Sequence, residues 1–375
     1  MQLEKLALSW SPHFATLESK GWPGYPVVPI YYKRRELASS KEAGVAMATR
    51  TRSAIVLVAL TLLLVVPCTG GCRSGPPLKV KIAVYPGEMS APIAVAQEKG
   101  LFRSNGLEVT TDSYDSGALA VKALLAGEAD VATASDYVFA SSAFSSPDLR
   151  LLAEIDWASN MWFVTTRDKG VSEEADLPGR TVGVPPGTSA EYALGGALSS
   201  EGLSRESVAV AYMAPDELSD ALASGRVDAV VIWDPVANDI REEIGDDSLG
   251  WVAQGSHHYH RTLISKASIL ERKPEMSERL MRSTVEADRY IREHPNGAKS
   301  IVSRSYDLDR AYIDYAWPLN RFETTLDQCL LFDLDMQGRW FSDTKRAGRD
   351  VPNYLELIDF KGLELADPEA VRVAY

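Results

Sequence analysis

Short apolar runs alternate with amphipathic stretches along residues 79–262. The runs are rich in β-branched side chains and predict buried strands, whereas the stretches between them have the apolar spacing of helices. The predicted strands cover residues 79–85, 107–114, 129–134, 149–155, 161–166, 180–184, 208–213 and 228–232. The predicted helices cover residues 90–102, 116–128, 190–200 and 216–224. Strands that alternate with helices indicate βαβ units and a mostly parallel sheet, so the predicted fold class is α/β.

Two segments of this pattern resemble each other. Residues 123–132 (ALLAGEADVA) and 221–230 (ALASGRVDAV) both place Ala-Leu at a helix end, followed by a glycine, an aspartate and a strand. Gly127 and Gly225 can adopt the left-handed conformation that ends a helix. We interpret this repeat, with its offset of 98 residues, as a sign of two similar α/β lobes. The alternative is that helix, glycine and strand follow one another in any α/β protein.

The chain becomes mainly helical after about residue 265. Helices are predicted over residues 274–293, from Pro295 onward and over residues 325–343, with a loop at residues 351–354. Pro274 suits the first turn of its helix. We expect this tail to pack on one lobe without forming a further domain.

A leader is predicted before the first strand. Arg50 and Arg52 precede an apolar run of 13 residues, 54–66, which is followed by small residues and Cys72. This pattern predicts a secretory signal over residues 47–72. It also resembles the bacterial lipoprotein signal, in which the cysteine is lipidated, although Thr69 stands where an aliphatic residue is preferred. We therefore predict lipidation of Cys72, with plain secretion after cleavage near Gly71 as the alternative.

Residues 1–46 fit no export signal, because they place a long polar and aromatic stretch before the apolar run. Met47 begins a leader of ordinary length, so we expect translation to start there and residues 1–46 to be a mis-assigned extension. Residues 73–77 form a short spacer, and the fold should begin near Leu78.

Composition and charge narrow the function. The 375-residue chain has a net charge of -13 and a pI near 5.0, which argues against a nucleic-acid partner. Its three cysteines form no metal-binding pattern, two belong to the leader, and Cys329 is left without a disulfide partner. Nucleophile-elbow and phosphate-loop motifs are absent from the sequence, so we predict no enzymatic activity, no cofactor and no metal. The segment from His257 to His260 could suggest a metal, but a loop or crossover strand is the favoured interpretation.

The chain resembles the type-II periplasmic binding proteins of the aliphatic-sulfonate, taurine and nitrate class, which are related to thiamine pyrimidine-precursor binders. The residues that carry the resemblance are 92–102 (PIAVAQEKGLF), 106–109 (GLEV), 124–130 (LLAGEAD), 177–184 (LPGRTVGV), 225–235 (GRVDAVVIWDP) and 352–354 (PNY). The resemblance implies two lobes, residues 78–167 with 263–375 and residues 168–262, joined by crossover strands and closing on a solute.

The same resemblance implies an exported protein that delivers a small-molecule solute to an ABC transporter permease. Such a protein is expected to act as a monomer, held at the membrane through its lipid. Two alternatives stay open: a ligand-sensing protein that serves a membrane receptor, and a relative of pyrimidine-synthesis enzymes.

The candidate binding residues follow the predicted strands, because open α/β sheets bind ligands beyond the carboxyl ends of their strands. They are Pro86, Gly87, Glu88, Ser116, Gly117, Ser135, Asp136, Gly187, Thr188, Ser189, Trp233 and Asp234. At 116–117 and 187–189 a helix N-terminus would favour an anion, with ordinary helix capping as the alternative. Trp233 would form a flat apolar wall, or else pack at the hinge, and Asp234 would accept a hydrogen bond, or else cap the next helix.

These loops contain Glu88, Asp136 and Asp234 but no lysine or arginine. An inorganic anion such as nitrate usually has a cation beside it. A zwitterion or a polar neutral ring, taurine-like or pyrimidine-like, is therefore the preferred solute at this point.

Overall fold

The computed structural model describes residues 76–253, 258–345 and 350–374. The predicted leader and Cys72 lie outside these residues. Residues Arg73–Tyr375 belong to one compact unit. Within the described ranges, no helix is long and apolar enough to cross a membrane.

The secondary structure follows the predicted alternation closely. In chain order the strands are β1 (Leu78–Val84), β2 (Leu107–Ser113), β3 (Val131–Ser135), β4 (Leu149–Ala158), β5 (Met161–Thr166), β6 (Thr181–Val184), β7 (Ala209–Tyr212), β8 (Ala229–Trp233), β9 (Ser248–Val252), β10 (Tyr259–Lys266), β11 (Asn320–Arg321), β12 (Leu326–Asp327) and β13 (Val371–Arg372). The helices are α1 (Ala91–Glu98), α2 (Leu101–Ser104), α3 (Gly117–Ala126), α4 (Asp136–Ala143), α5 (Ser189–Ser200), α6 (Leu218–Ala223), α7 (Val236–Ile244), α8 (Ala267–Arg272), α9 (Met276–Glu293), α10 (Pro295–Tyr306), α11 (Arg310–Ala316), α12 (Gln328–Lys345) and α13 (Phe360–Ala366).

The described strands form two main sheets with matching order. The first sheet runs β2-β1-β3-β10-β4-β11, and the second runs β7-β6-β8-β5-β9. Each sheet has its own buried apolar core. We call the first sheet with its helices the first lobe, and the second sheet with its helices the second lobe. The predicted two-lobed α/β architecture is confirmed.

Most strands of each sheet share one direction, as predicted, but each sheet also contains antiparallel pairs. β1 runs parallel to β2 and β3, but β10 runs antiparallel to β3 and β4. In the second sheet β6 is parallel to β7 and β8, whereas β5 is antiparallel to β8 and β9. The antiparallel strands β5 and β10 are the ones by which the chain enters each sheet from the other lobe, so they cannot share the direction of the βαβ units.

The repeated aspartate has the same structural role in both lobes. Asp130 accepts a hydrogen bond from the Lys81 amide through its side chain (2.9 Å), and its own amide donates to the Lys81 carbonyl (2.8 Å). Asp228 makes the same two contacts with Thr181, both 2.8 Å long. Gly127 and Gly225 are left-handed, with φ of 82° and 72°, as predicted. The aspartate therefore connects the start of β3 to β1 in the first sheet and the start of β8 to β6 in the second.

The helical tail packs chiefly on the first lobe but also touches the second. On α9, the buried residues Leu280, Thr284 and Ala287 lie on one face, at the spacing of helical turns. Trp340 of α12 makes edge contacts with Tyr137 of α4 and with Tyr192 of α5, at ring distances of 5.7 and 5.4 Å. The expectation that the tail packs on a single lobe is therefore incomplete, because α12 reaches across both.

Candidate functional site

A cavity of about 30 Å³ lies between the two sheets. Its lining residues are Tyr85, Met89, Gly117, Ala118, Ser135, Val138, Asn160, Met161, Thr188, Ser189, Trp233, Tyr259, His260 and Arg261. We call this space the interlobe cavity. It lies at the carboxyl ends of β1, β3 and β8, where ligands bind in open α/β sheets.

Three helices begin at the interlobe cavity. The Ser116 hydroxyl caps α3, and the Ser135 hydroxyl caps α4. α5 begins after Thr188 without a side-chain cap, because the Thr188 hydroxyl donates instead to the Pro185 carbonyl (2.8 Å). Free N–H groups and helix dipoles at such ends favour negative charge.

Gly117 explains how α3 can begin so close to the first sheet. A Cβ atom at this position would lie 2.8 Å from the Cα of Ala134 on β3. That distance is too short for any side chain unless the backbone shifts. A glycine here therefore brings the helix N-terminus directly against the strand that carries Ser135.

Among the described residues that line the cavity, Arg261 is the one arginine or lysine. Its side chain is buried, and its guanidinium lies over the Tyr85 ring, 4.9 Å from the ring centre. Nη2 lies 3.8 Å from the Met89 sulfur, and Nε has no hydrogen-bond partner among the described residues. Burial lowers the pKa of Arg261, but the negative groups around it, Glu88 and Asp156 among them, oppose that effect.

Two aromatic side chains join the lobes beside Arg261. The Trp233 indole N–H, at the end of β8, donates to the Tyr85 hydroxyl, just beyond β1, over 2.6 Å. Their rings meet edge to face, with centres 5.9 Å apart. The hydrogen bond spans the two lobes, so it requires them to lie against each other at this point.

Buried acids surround the cavity without forming an ion pair with Arg261. Burial raises the pKa values of Glu88 and Asp156, and it raises the pKa of Asp234 to about 7. Glu88 accepts a hydrogen bond from the Tyr312 hydroxyl (2.8 Å). Burial therefore disfavours the charged form of these acids, although Glu88 and Asp156 still act on Arg261 as negative groups.

The structure brings five of the sequence-predicted residues to the cavity wall. They are Gly117, Ser135, Thr188, Ser189 and Trp233.

The other seven predicted residues lie close by but outside the lining. Ser116 and Gly187 flank helix starts, and Gly187 donates its amide to Glu191 (3.0 Å). Asp234 accepts from the Trp162 indole (2.9 Å) and pairs with Arg241 at 3.5 Å. The remaining members of this set are Pro86, Gly87, Glu88 and Asp136, and the last two are buried acids.

Sequence reasoning missed the residues that the crossover segments supply. Asn160 lies between β4 and β5, and Arg261 lies on β10 where the chain returns to the first lobe. The absence of basic residues from the loops therefore did not mean the absence of a cation from the site. A signal was available, because Arg261 interrupts a run of strand-forming residues directly after the histidine-rich segment.

The histidine-rich segment has one deeply placed member. His260 is buried on β10, His258 precedes the strand and is exposed, and His257 lies outside the described residues. The expected crossover strand is therefore present. His260 also forms, with Asp136 and Asp333, a group whose ligating atoms lie within 4.8 Å of one another.

Comparison with known sequences gives a family match and curated relatives. A family model described as NMT1/THI5 like matches residues 88–298, more than half of the chain. A binding protein of Brucella abortus (strain 2308) is 26% identical over 225 residues, covering 59% of this chain and 69% of that protein. The taurine-binding periplasmic protein of Escherichia coli (strain K12) is 24% identical over 165 residues, covering 44% of this chain and 51% of that protein.

Solved structures share the fold. The alkanesulfonate-binding protein SsuA from Xanthomonas axonopodis pv. citri bound to MOPS matches with a TM-score of 0.66 at 17% identity, over 76% of this chain and 99% of that chain. The desulfurization enzyme DSZB matches with a TM-score of 0.60 at 15% identity, over 77% and 99% of the two chains. The predicted periplasmic binding fold is confirmed, and it is a fold on which both binding proteins and an enzyme are built.

Proposed function

The chain belongs to the NMT1/THI5-like family, and we propose that it is the extracytoplasmic solute-binding component of an ABC importer. We propose a small organic sulfonate as the solute, held between the two lobes. The observation that carries the proposal is Arg261, a buried guanidinium at the interlobe cavity with no ion-pair partner among the described residues.

The chemistry of the cavity suits a sulfonate. A sulfonate spreads one negative charge over three acceptor oxygens, and a guanidinium offers a planar fork of donors to such a group. The start of α5 at Thr188 and Ser189 adds backbone N–H groups and the positive end of a helix dipole. An unpaired buried cation destabilises the empty protein. An anion that pairs with Arg261 removes this destabilisation, which strengthens its binding.

Two relatives support this choice. The Escherichia coli protein is named for taurine, and the Xanthomonas protein is named for alkanesulfonates. Both names describe solutes with a sulfonate group, which is the feature that Arg261 would recognise. The earlier preference for a zwitterion or neutral ring rested on loops without basic residues, and β10 supplies the missing cation.

The size of the cavity favours a compact solute. The cavity offers about 30 Å³ in this arrangement, enough for two or three water molecules by the usual measure of roughly 10–15 Å³ each. A solute must therefore enter an opened form, and the lobes then close over it by a hinge at the crossover segments. The contact between Tyr85 and Trp233 would form again on closure.

Location and partners are further parts of the proposal. The 13-residue apolar run and the small residues before Cys72 support export and lipidation at that cysteine. We propose that the lipid holds the protein at the membrane, where it acts as a monomer and delivers its solute to the permease.

An enzyme is the main competing proposal, because DSZB shares the fold. Cys329, the free cysteine of the described residues, lines a different cavity with Glu154 and Asp333. The interlobe cavity therefore has no thiol nucleophile in its lining. A sensor that presents the solute to a membrane receptor would use the same binding chemistry and would differ only in its partner.

Calorimetric titration of the full chain tests the proposal. We expect methanesulfonate and taurine to bind and to raise the melting temperature, since ligands of the folded state stabilise it. Dimethyl sulfone, which is neutral and similar in shape, should not bind. Tight binding of nitrate or of a pyrimidine with no response to any sulfonate would refute the proposed solute class. Conversion of the bound sulfonate to a product would refute the binding role.

A further inference from the structure

Four titratable side chains cluster in the first lobe behind the interlobe cavity. We call Asp136, Glu154, His260 and Asp333 the histidine cluster. His260 has a carboxylate at each ring nitrogen: Nδ1 is hydrogen-bonded to Glu154 Oε2, and Nε2 lies 3.1 Å from Asp333 Oδ2. Ligating atoms of Asp136, His260 and Asp333 all lie within 4.8 Å of one another.

The histidine cluster is rich in acceptor oxygens and includes no lysine or arginine, although Arg321 and Arg372 line a neighbouring cavity. Three carboxyl groups surround one imidazole, and Asp136 and Glu154 are fully buried. Glu154 Oε1 and Gln337 Oε1 are buried without a hydrogen-bond donor among the described residues, although the Gln337 amide group donates to Asp136 (2.8 Å). Buried acceptors without donors are costly. A cation bound in the cluster would reduce that cost.

The orientation of His260 matches that of a metal ligand. Histidines that bind metals commonly donate their second ring N–H to a carboxylate, which fixes the tautomer and the ring plane. Glu154 is placed to accept that proton from Nδ1, which leaves Nε2 facing Asp333. A cavity of about 340 Å³, lined in part by Glu154, His260 and Asp333, opens beside the cluster and supplies a route from solvent.

We propose that Asp136, His260 and Asp333 bind a divalent transition-metal cation, with Zn²⁺ as the probe. One imidazole and two carboxylates are donors that Zn²⁺ accepts, at bond lengths of about 2.0–2.2 Å. Binding would draw the three side chains together and displace any proton from His260 Nε2 to solvent. The inference is independent of the solute, although the ion would fix β10 to α4 and α12 directly next to Arg261.

Zinc titration of the chelator-treated full chain tests the proposal. We expect one equivalent of Zn²⁺ to bind, with proton release that shows as a buffer-dependent heat. Asp333→Asn should weaken binding at least tenfold. Asp335→Asn is the matched control, because Asp335 lies on the same helix, is paired with Arg339 and is far more exposed. That variant should bind Zn²⁺ as the unmodified protein does.

Two results would overturn the proposal. One is a folded, unmodified protein that takes up no stoichiometric Zn²⁺. The other is an Asp333→Asn variant, folded by circular dichroism, with unchanged zinc affinity, because the ion would then lie elsewhere. If Asp333→Asn does not fold, Asp136→Asn is the second test variant. Unchanged zinc affinity in Asp136→Asn would count equally against the site. Sulfonate titrations of the metal-free protein judge the proposed solute separately.

Discussion

The two lobes repeat one scaffold but differ in the side chains that they bring to the cavity. Asp130 and Asp228 make the same pair of backbone contacts in their sheets. The backbone carbonyl of each aspartate also accepts a hydrogen bond from a hydroxyl on the antiparallel strand. In the first lobe Ser265 donates to Asp130 over 2.8 Å, and in the second Thr165 donates to Asp228 over 2.6 Å. The repeat therefore extends to the strands that cross between lobes.

The difference lies where the crossover strands face the cavity. In the first lobe Arg261 on β10 pairs with Ser135 on β3, whereas in the second lobe Met161 on β5 pairs with Trp233 on β8. Equivalent positions thus hold a cation and a hydroxyl in one lobe, and a thioether and an indole in the other. The same backbone supplies the charge from one side and an apolar wall from the other, so the second lobe can close over an anion held by the first.

The largest effect should come from removing that difference in charge. Arg261→Met places the second lobe's side chain in the first lobe, and we expect sulfonate affinity to fall at least about 100-fold, or about 2.7 kcal/mol. Calorimetry measures it, with Met161→Leu as the matched control within a few-fold of the unmodified protein. A loss of less than threefold in Arg261→Met would show that the charge does not select the solute.

The shared scaffold can be broken in either lobe. Asp130→Ala and Asp228→Ala each leave a strand amide without its acceptor, and each should lower the free energy of unfolding by about 2 kcal/mol. The loss should be larger for Asp130, which also pairs with Lys273 at 2.7 Å. Urea unfolding measures both, with Asp335→Ala, at a side chain that is 43% exposed, as control. A stable Asp228→Ala variant would contradict the structural equivalence of the two aspartates.

The third prediction concerns the contribution of Asp234 to the pH dependence of the free energy of unfolding. Burial and the charge of Glu88 raise its pKa from 3.8 to about 7. Between pH 3.8 and about 7 the Asp234 carboxyl keeps its proton in the folded chain but has lost it in the unfolded chain. The contribution of Asp234 to the free energy of unfolding therefore falls as pH rises. Asp234→Asn should flatten that slope by about 1 kcal/mol per pH unit. Urea unfolding at pH 5, 6 and 7 measures it, and an unchanged slope would rule out a raised pKa.

The smallest effect concerns the contact between the lobes. Tyr85→Phe removes the acceptor of the Trp233 indole N–H while keeping the ring under Arg261. We expect sulfonate affinity to fall about three- to tenfold, because a hydrogen bond between neutral groups contributes roughly 0.5–1.5 kcal/mol. Tyr315→Phe, on an exposed tyrosine of α11, serves as control. Unchanged affinity in Tyr85→Phe would mean that this hydrogen bond does not stabilise the closed form.

Much of the fold was predictable because its signals are local. Apolar runs with β-branched residues marked β1 to β8, and the left-handed glycines Gly127 and Gly225 marked helix ends. The rule for carboxyl ends of strands found Gly117, Ser135 and Trp233 at the cavity. Helix starts shifted by one to three residues, as at α12, where Leu326 pairs with Val371 and delays the helix to Gln328.

The sequence by itself determined the order of elements, the repeated aspartate and the loops that approach the site, since each depends on residues within about one element of one another. Only the tertiary structure decided the direction of β5 and β10, the place of Arg261 and the surroundings of His260. Those depend on pairing between segments more than 60 residues apart, such as Thr165 with Ala229 and Arg261 with Ser135. No local pattern encodes which strands become neighbours, so the charge at the centre of the site became visible only once the sheet had been assembled.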